Sequence, residues 1–240
     1  MKITKVTKIT RRALPLRYCG AVIVAAGSAS RMGGIDKVMA PLKGEPMIVH
    51  TARAFQNCDA IREIVIVTRE DLIIPIADLC HDMDKVKAVV VGGKSRQESV
   101  SMGLNALSES VELAAIQDGA RPLITWQVID RVVRAANSYN AAVPVIPVKD
   151  TIKVAPSGLV ESTPARSKLR AVQTPQVFDI DLLRGALKHA QQTGAEVTDD
   201  CSAVELLGMK VKTVEGDERN LKVTTPMDLK FADLLMEEMA

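Results

Sequence analysis

At 240 residues, 47% hydrophobic and 25% charged, the chain has the composition of a soluble protein with one sizeable core or two small ones, and neither a disordered nor a fibrous reading survives. Aromatics make up only 2%, so the core must be aliphatic and the stacking platforms of single-strand nucleic-acid binders are missing; no nucleic-acid partner is expected. The formal net charge of +2 hides an asymmetry, because Lys2, Lys5, Lys8, Arg11, Arg12 and Arg17 all precede the first acidic residue and leave a slightly acidic body.

The basic head, 1–18, has no apolar core of signal-peptide length, and no run in the chain approaches the length needed to span a bilayer. It reads as a solvated N-terminal extension or an over-long start rather than a transit peptide. The protein reads as cytoplasmic, without a membrane partner, and 19–240 as a single domain. Cys19, Cys58, Cys80 and Cys201 lack C-x-x-C spacing, and His50, His81 and His189 have no ligand-like pairing with them, so neither zinc nor a disulfide framework is expected.

Strands are expected over 20–26, 63–68, 87–91, 113–117, 141–145 and 210–215, mostly continuous Val/Ile/Ala runs suited to burial on both faces. Helical periodicity falls over 47–58, 97–108, 126–137, 180–192, 199–207 and 226–238. Such alternation predicts an α/β fold, a Rossmann-like, doubly wound, mostly parallel sheet sandwiched by helices, with ligands beyond the carboxyl ends of the strands. Ser95-x-x-Glu98 reads as a capping box, Thr125 as an N-cap, and Thr225-Pro226-x-Asp228 as a cap with Pro at the first helical position and an early acid. Pro147, Pro156, Gly158 and Pro164 punctuate 147–168, which reads as a β-hairpin arm projecting from the sheet.

The first strand runs into Ala25-Ala26-Gly27, with Arg31 and Lys37 after it. Small side chains let a ligand approach the main chain, and exposed N–H groups followed by two cations make a phosphate cradle. Neither G-x-G-x-x-G nor G-x-x-x-x-G-K-[ST] occurs here, and taken alone the segment also reads as a tight strand-to-helix turn with two solvated cations. Further along, Gly92-Gly93-Lys94-Ser95-Arg96-Gln97-Glu98-Ser99 follows one strand and Gln117-Asp118-Gly119-Ala120-Arg121-Pro122 ends another. Asp118, at a strand's carboxyl end, can hold Mg²⁺ or another divalent cation against triphosphate oxygens, and Arg121 offers a planar fork for a phosphate or for the site's carboxylates. By themselves these segments also read as a glycine turn before a capped helix and as an Asp-capped turn.

From Ala25-Ala26-Gly27-x-x-x-Arg31-Met32 to Lys37 and Pro41-Leu42, the chain resembles the nucleotidyltransferases that join an NTP to a phosphorylated sugar or polyol. The later segments follow in the same order, so from about residue 20 onward it is similar to the 2-C-methyl-D-erythritol 4-phosphate cytidylyltransferases. Pro147 to Lys153, Arg166 with Gln173-Thr174-Pro175-Gln176, and Asn220-Leu221-Lys222-Val223-Thr224-Thr225-Pro226 complete the pattern, the last being its most specific part. The resemblance implies that Arg31, Lys37 and Lys222 surround the CTP triphosphate and that Ala25, Ala26, Gly27, Gly93, Ser99 and Gly119 hold the nucleotide. It implies Asp118 as the metal ligand and Arg121, Thr151, Arg166 and Thr174 as contacts for a polyol phosphate, with Arg166 donated across a homodimer through the arm.

Gln117 and Gly119 depart from the family's His-Asp-Ala-Ala-Arg-Pro, and Lys94 and Arg219 stand where some relatives carry acids. The implied reaction is in-line attack by the acceptor's 4-phosphate on the α-phosphorus of CTP, with loss of pyrophosphate. Ribitol 5-phosphate as acceptor, UTP or GTP with a hexose phosphate, and a catalytically silent sensor of nucleotide or polyol phosphate are the competing readings.

Overall fold

The computed structural model describes residues 15–27 and 36–238, so Arg31 and most of the basic head lie outside the described residues. The first apolar run forms β1 (Cys19–Val24), which is followed by a short hairpin, β2 (Pro41–Leu42) with β3 (Glu45–Pro46), and by α1 (Met47–Gln56). Next come β4 (Glu63–Thr68), α2 (Ile73–Leu79), β5 (Val86–Val91), α3 (Arg96–Ala106), β6 (Leu113–Asp118) and α4 (Trp126–Tyr139). The chain continues through β7 (Ala141–Pro147), β8 (Arg170–Val172), β9 (Gln176–Asp179), α5 (Ile180–Thr193), α6 (Asp200–Leu206), β10 (Lys212–Glu215) and α7 (Pro226–Glu238).

The main sheet has the order β10-β7-β9-β6-β1-β4-β5, with β8 on β7. Neighbours β1, β4, β5 and β6 are parallel, as are β7 and β10. Antiparallel β9 joins these two groups, and β8 is also antiparallel. The mostly parallel sandwich matches the alternation in the sequence. Its two antiparallel strands were not expected, because runs of three and four residues carry no readable period. Helix α2 was missed for a similar reason: it has seven residues, with Pro75 in its first turn.

Strand side chains alternate between faces, and that alternation builds the layers. Ala21, Ile23, Ile64 and Ile66 share a cluster with Phe55 of α1 and Ile129 and Val133 of α4. Their neighbours Val22, Val65 and Val67 belong to the opposite cluster, with Leu104 of α3 and Leu183 of α5. Helix α3 lies so close to β1 that a Cβ on Gly103 would sit 2.3 Å from Val22 Cγ1. A third cluster, including Leu42, Met47, Ala120, Leu123, Val223 and Ala232, fastens α7 and the segment before it to the loop after β6.

From β1 the chain winds outward to β4 and β5, then returns to place β6 on the other side of β1. The direction of winding thus reverses between β1 and β6, and it is at the carboxyl ends of strands at such a switch point that open α/β sheets take their ligands. A bond from Gly119 N to Val24 O, 2.9 Å, ties the two strand ends together.

The expected arm leaves the sheet after β7. Val154 and Ser162 bridge antiparallel across a turn that holds Gly158 at φ +81°, and a 3-10 turn at Arg166–Lys168 leads back to β8. Leu159 and Val160, near its tip, are 75% and 62% exposed. At the other end of the chain, Arg17 is anchored before β1 begins, with Nη1 on Asp179 and Nη2 on Ala136 O, both at 3.0 Å.

Candidate active site

Beyond the carboxyl ends of β1, β5 and β6 lies a cavity of about 410 Å³. Ala25, Ala26 and Gly27 come to it from β1, Gly93 and Ser99 from the turn and helix after β5, Asp118 and Gly119 from β6, Lys37 from the segment before β2 and Lys222 from the segment before α7. Nine of the fourteen candidate residues, drawn from separate stretches of the sequence, are gathered here; Arg31 lies outside the described residues.

The glycine turn is built for close approach. A Cβ on Gly92 would lie 2.5 Å from the Cβ of Ala26, and one on Gly93 would lie 2.2 Å from the Cβ of Glu98. Ser99 is buried beneath the turn: its hydroxyl accepts from Gly93 N at 3.1 Å and donates to Ser95 O at 2.9 Å. Ser95 caps α3 by accepting from Glu98 N at 3.1 Å, but the Glu98 carboxylate accepts from Lys94 N at 2.6 Å instead of closing the expected box. The effect is to fix the turn from both sides and leave its outer edge to a ligand.

Asp118 is the electrostatic centre. Lys222 Nζ is 2.9 Å from its Oδ2, Arg121 Nε 3.5 Å from the same oxygen, and Arg96 Nε 3.8 Å from Oδ1. Burial works against its charge, yet Lys222 and Arg96, with a smaller contribution from Arg121, outweigh burial and hold the carboxyl below its ordinary range.

Backbone bonds put Lys222 where it is. Arg121 Nη1 donates to Asn220 O at 2.7 Å, Asn220 Nδ2 donates to Thr174 O at 2.9 Å, and Val223 N donates to Ala120 O at 2.9 Å. Gln173 Nε2 reaches Asp217 O at 2.8 Å, and the Thr174 hydroxyl accepts from Asp118 N at 3.1 Å. Arg121 and Thr174 are thus engaged within this framework beside Asp118, both buried, rather than lining the cavity. Thr151 and Arg166 lie away from it on the exposed arm, where Arg166 Nη1 donates to Lys149 O at 2.8 Å.

Two site residues escaped the sequence reading. Arg96, the first residue of α3, lines the cavity, and its Nη2 donates to Asp200 Oδ2 at 2.7 Å. Ser95 and Glu98 on either side already explained that stretch as a helix cap, and Asp199-Asp200 looked like the acidic start of another helix. A doublet of acids where one suffices to cap was the available signal.

Among the described residues no group of three or more His, Cys, Asp or Glu could enclose a metal ion. Asp118 alone suits an ion that takes one or two protein carboxylates and completes its shell with phosphate oxygens and water, as Mg²⁺ does. A closed protein cage for a structural metal does not fit.

A family model described as "IspD: 2-C-methyl-D-erythritol 4-phosphate cytidylyltransferase" matches residues 19–238. A protein of that name from Symbiobacterium thermophilum is 45% identical over 221 residues, covering 91% of this chain and 93% of the relative. Another from Dehalococcoides mccartyi is 43% identical over 222 residues, covering 91% and 96%. The crystal structure of 4-diphosphocytidyl-2C-methyl-D-erythritol synthase from Anaerococcus prevotii superposes with a TM-score of 0.83 at 30% identity, covering 92% of this chain and 96% of that one. The cytidylyltransferase from Thermus thermophilus gives a TM-score of 0.75 at 32% identity over 92% and 99% of the two chains.

Proposed function

The chain belongs to the 2-C-methyl-D-erythritol 4-phosphate cytidylyltransferase family, and from that premise we propose how its own residues divide the work of moving CMP from CTP to the acceptor's 4-phosphate. The activity is that of a nucleotidyltransferase; neither a ribitol-phosphate acceptor nor a silent sensor is favoured by the family match. In the reaction a 4-phosphate oxygen bonds to the α-phosphorus of CTP as the bond to the bridging oxygen breaks and pyrophosphate leaves. No covalent nucleophile is needed. The protein aligns two polyanions and neutralises the charge that grows on the equatorial and leaving oxygens.

The single observation that carries this reading is the convergence of Lys37, Lys222 and Asp118 on one cavity that the Gly93 turn also lines. Main-chain groups of that turn, held by Ser99, read the pyrimidine, and Ala25 to Gly27 with Gly119 leave room for ribose and phosphates. Lys37 and Lys222 hold the triphosphate, with Arg31 as a third cation. Asp118 would hold a divalent cation, most simply Mg²⁺, which supplies Lewis-acid neutralisation of the phosphates when bound. Lys222, in ion-pair contact with Asp118, links that carboxylate to the phosphate chain.

The finer reading extends to the whole chain. Residues 19–240 act as one catalytic unit, and the arm over 147–168 joins two copies into a homodimer, carrying Thr151 and Arg166 toward the partner's acceptor site, with Arg121 and Thr174 shaping it from beneath. Exposed apolar groups at the arm's tip and the exposed Arg166 support that placement. Four free, buried cysteines suit a reducing compartment such as the cytoplasm, and no helix among the described residues is long and apolar enough to cross a membrane. Purified protein given CTP and Mg²⁺ with each polyol phosphate in turn tests the reading: pyrophosphate should appear with 2-C-methyl-D-erythritol 4-phosphate. Release with ribitol 5-phosphate alone would overturn it.

A further inference from the structure

Arg96 stands between two carboxylates. Its Nη2 is hydrogen-bonded to Asp200 at 2.7 Å, while its Nε stops 3.8 Å from Asp118 Oδ1, beyond hydrogen-bond distance. The other oxygen of Asp118 is already taken by Lys222 at 2.9 Å and approached by Arg121 at 3.5 Å. Which carboxylate owns the Arg96 guanidinium therefore decides how crowded Asp118 becomes.

Asp200 is an expensive residue for a fold to keep. Its side chain is wholly buried, and its Oδ1 has no hydrogen-bond partner. It is not the cap of its helix, since Asp199 fills that position and accepts from Ser202 N at 2.8 Å in a closed capping box. A buried carboxylate with half its hydrogen-bonding capacity unmet costs stability unless a counter-charge offsets it, and the counter-charge here is Arg96. Apolar residues in place of the whole pair would often be neutral or stabilising, which points to a task outside packing.

We propose that Asp200 is a positioning residue whose buried carboxylate draws the Arg96 guanidinium away from Asp118, leaving Asp118 Oδ1 open to the divalent cation that accompanies the nucleotide. The inference rests on Asp118 being the metal ligand. Without the charge on Asp200, the nearest anion left to Arg96 is Asp118, and a shift of roughly 1 Å closes their gap to a charge-assisted hydrogen bond. Guanidinium and metal ion then compete for the same oxygen.

The test is Mn²⁺ binding to protein saturated with CTP and lacking acceptor, read from the electron paramagnetic resonance signal of the free ion. Asp200→Asn should bind Mn²⁺ about tenfold or more weakly, the equivalent of one decade of affinity or above, while keeping a melting temperature near that of the parent. In turnover assays its kcat should recover at high metal. Arg96→Gln removes the competitor and should bind Mn²⁺ at least as tightly as the parent, and Asp200→Asn combined with Arg96→Gln should return to parental affinity. Opposite signs for the two single variants separate positioning from general damage.

Parental affinity in Asp200→Asn, or weakened binding in both single variants, overturns the proposal. Should Asp200→Asn fail to fold, the Arg96→Gln result decides alone, because weaker binding there contradicts competition. Asp118→Asn checks the premise separately: undiminished Mn²⁺ binding by that variant overturns the metal assignment itself, whatever Asp200→Asn does.

Discussion

Around Asp118 three cations from three different segments approach one carboxylate: Lys222 at 2.9 Å, Arg121 at 3.5 Å and Arg96 at 3.8 Å. The surplus of positive charge is what a triphosphate would neutralise, so the cavity is electrostatically suited to one. At this scale the turn before α3 makes a sharp prediction. A Cβ at residue 93 would meet Glu98 Cβ at 2.2 Å, so Gly93→Ala must push the turn from the first coil of α3. We expect its KM for CTP to rise about tenfold with a smaller change in kcat, as for lost uniform binding; steady-state kinetics would show it, and an unchanged KM would deny the turn a role in base recognition. Lys37 and Asp118 were legible in the sequence because each lies in a short motif whose chemistry does not depend on distant packing, and Lys222 was legible only through the family resemblance of the segment that carries it. Arg96 and Asp200 were hidden because local capping gave a sufficient account of their neighbours, and only tertiary structure sets them 2.7 Å apart.

Among the elements, α7 supports the site without entering it. Asp228 accepts at Oδ2 from Thr224 N, Thr224 Oγ1 and Thr225 N, all at 2.8 Å, and its own N–H donates to Thr225 Oγ1 at 3.2 Å. That closed start holds the strand of chain carrying Lys222 and Val223. Asp228→Ala should cost about 0.5–2 kcal/mol, the range for a lost helix cap, and lower kcat through a looser Lys222; thermal unfolding and turnover together check both parts. The pH dependence has a definite sign. Burial alone would raise the Asp228 carboxyl, but hydrogen bonds from Thr224 and Thr225 bring it below its ordinary value, so its contribution is present above the unfolded carboxylate range and fades as pH falls through the folded value. Asp228→Asn should therefore flatten the acid limb of the stability curve relative to the parent. The Thr225-Pro226-x-Asp228 cap could be read from the sequence since capping is local. Strand β9 could not, because its four residues are strand only by pairing with β6 and β7, partners tens of residues away.

For the molecule as a whole, the layered sandwich and its switch-point crevice follow from alternating apolar runs, and the arm follows from its prolines. In the proposed assembly the arm serves a second copy of the chain. If Arg166 serves the partner's site, then Arg166→Ala mixed with Lys222→Ala should regain about a quarter of parental activity, since one site in each mixed dimer keeps both groups intact and random pairing makes half the dimers mixed. Activity no higher than the sum of the two variants would place Arg166 with its own chain's site or with none. Replacing Leu159 and Val160 by Asp should shift sedimentation toward the monomer and lower activity with it. The most direct measurement of the central claim, that distant cations converge with Asp118 on one CTP triphosphate, is pyrophosphate release by Lys222→Ala at saturating CTP and 2-C-methyl-D-erythritol 4-phosphate. The account predicts a kcat about 10²–10³ below the parent, the loss of one preorganised donor, whereas a parental kcat in a folded variant would contradict it.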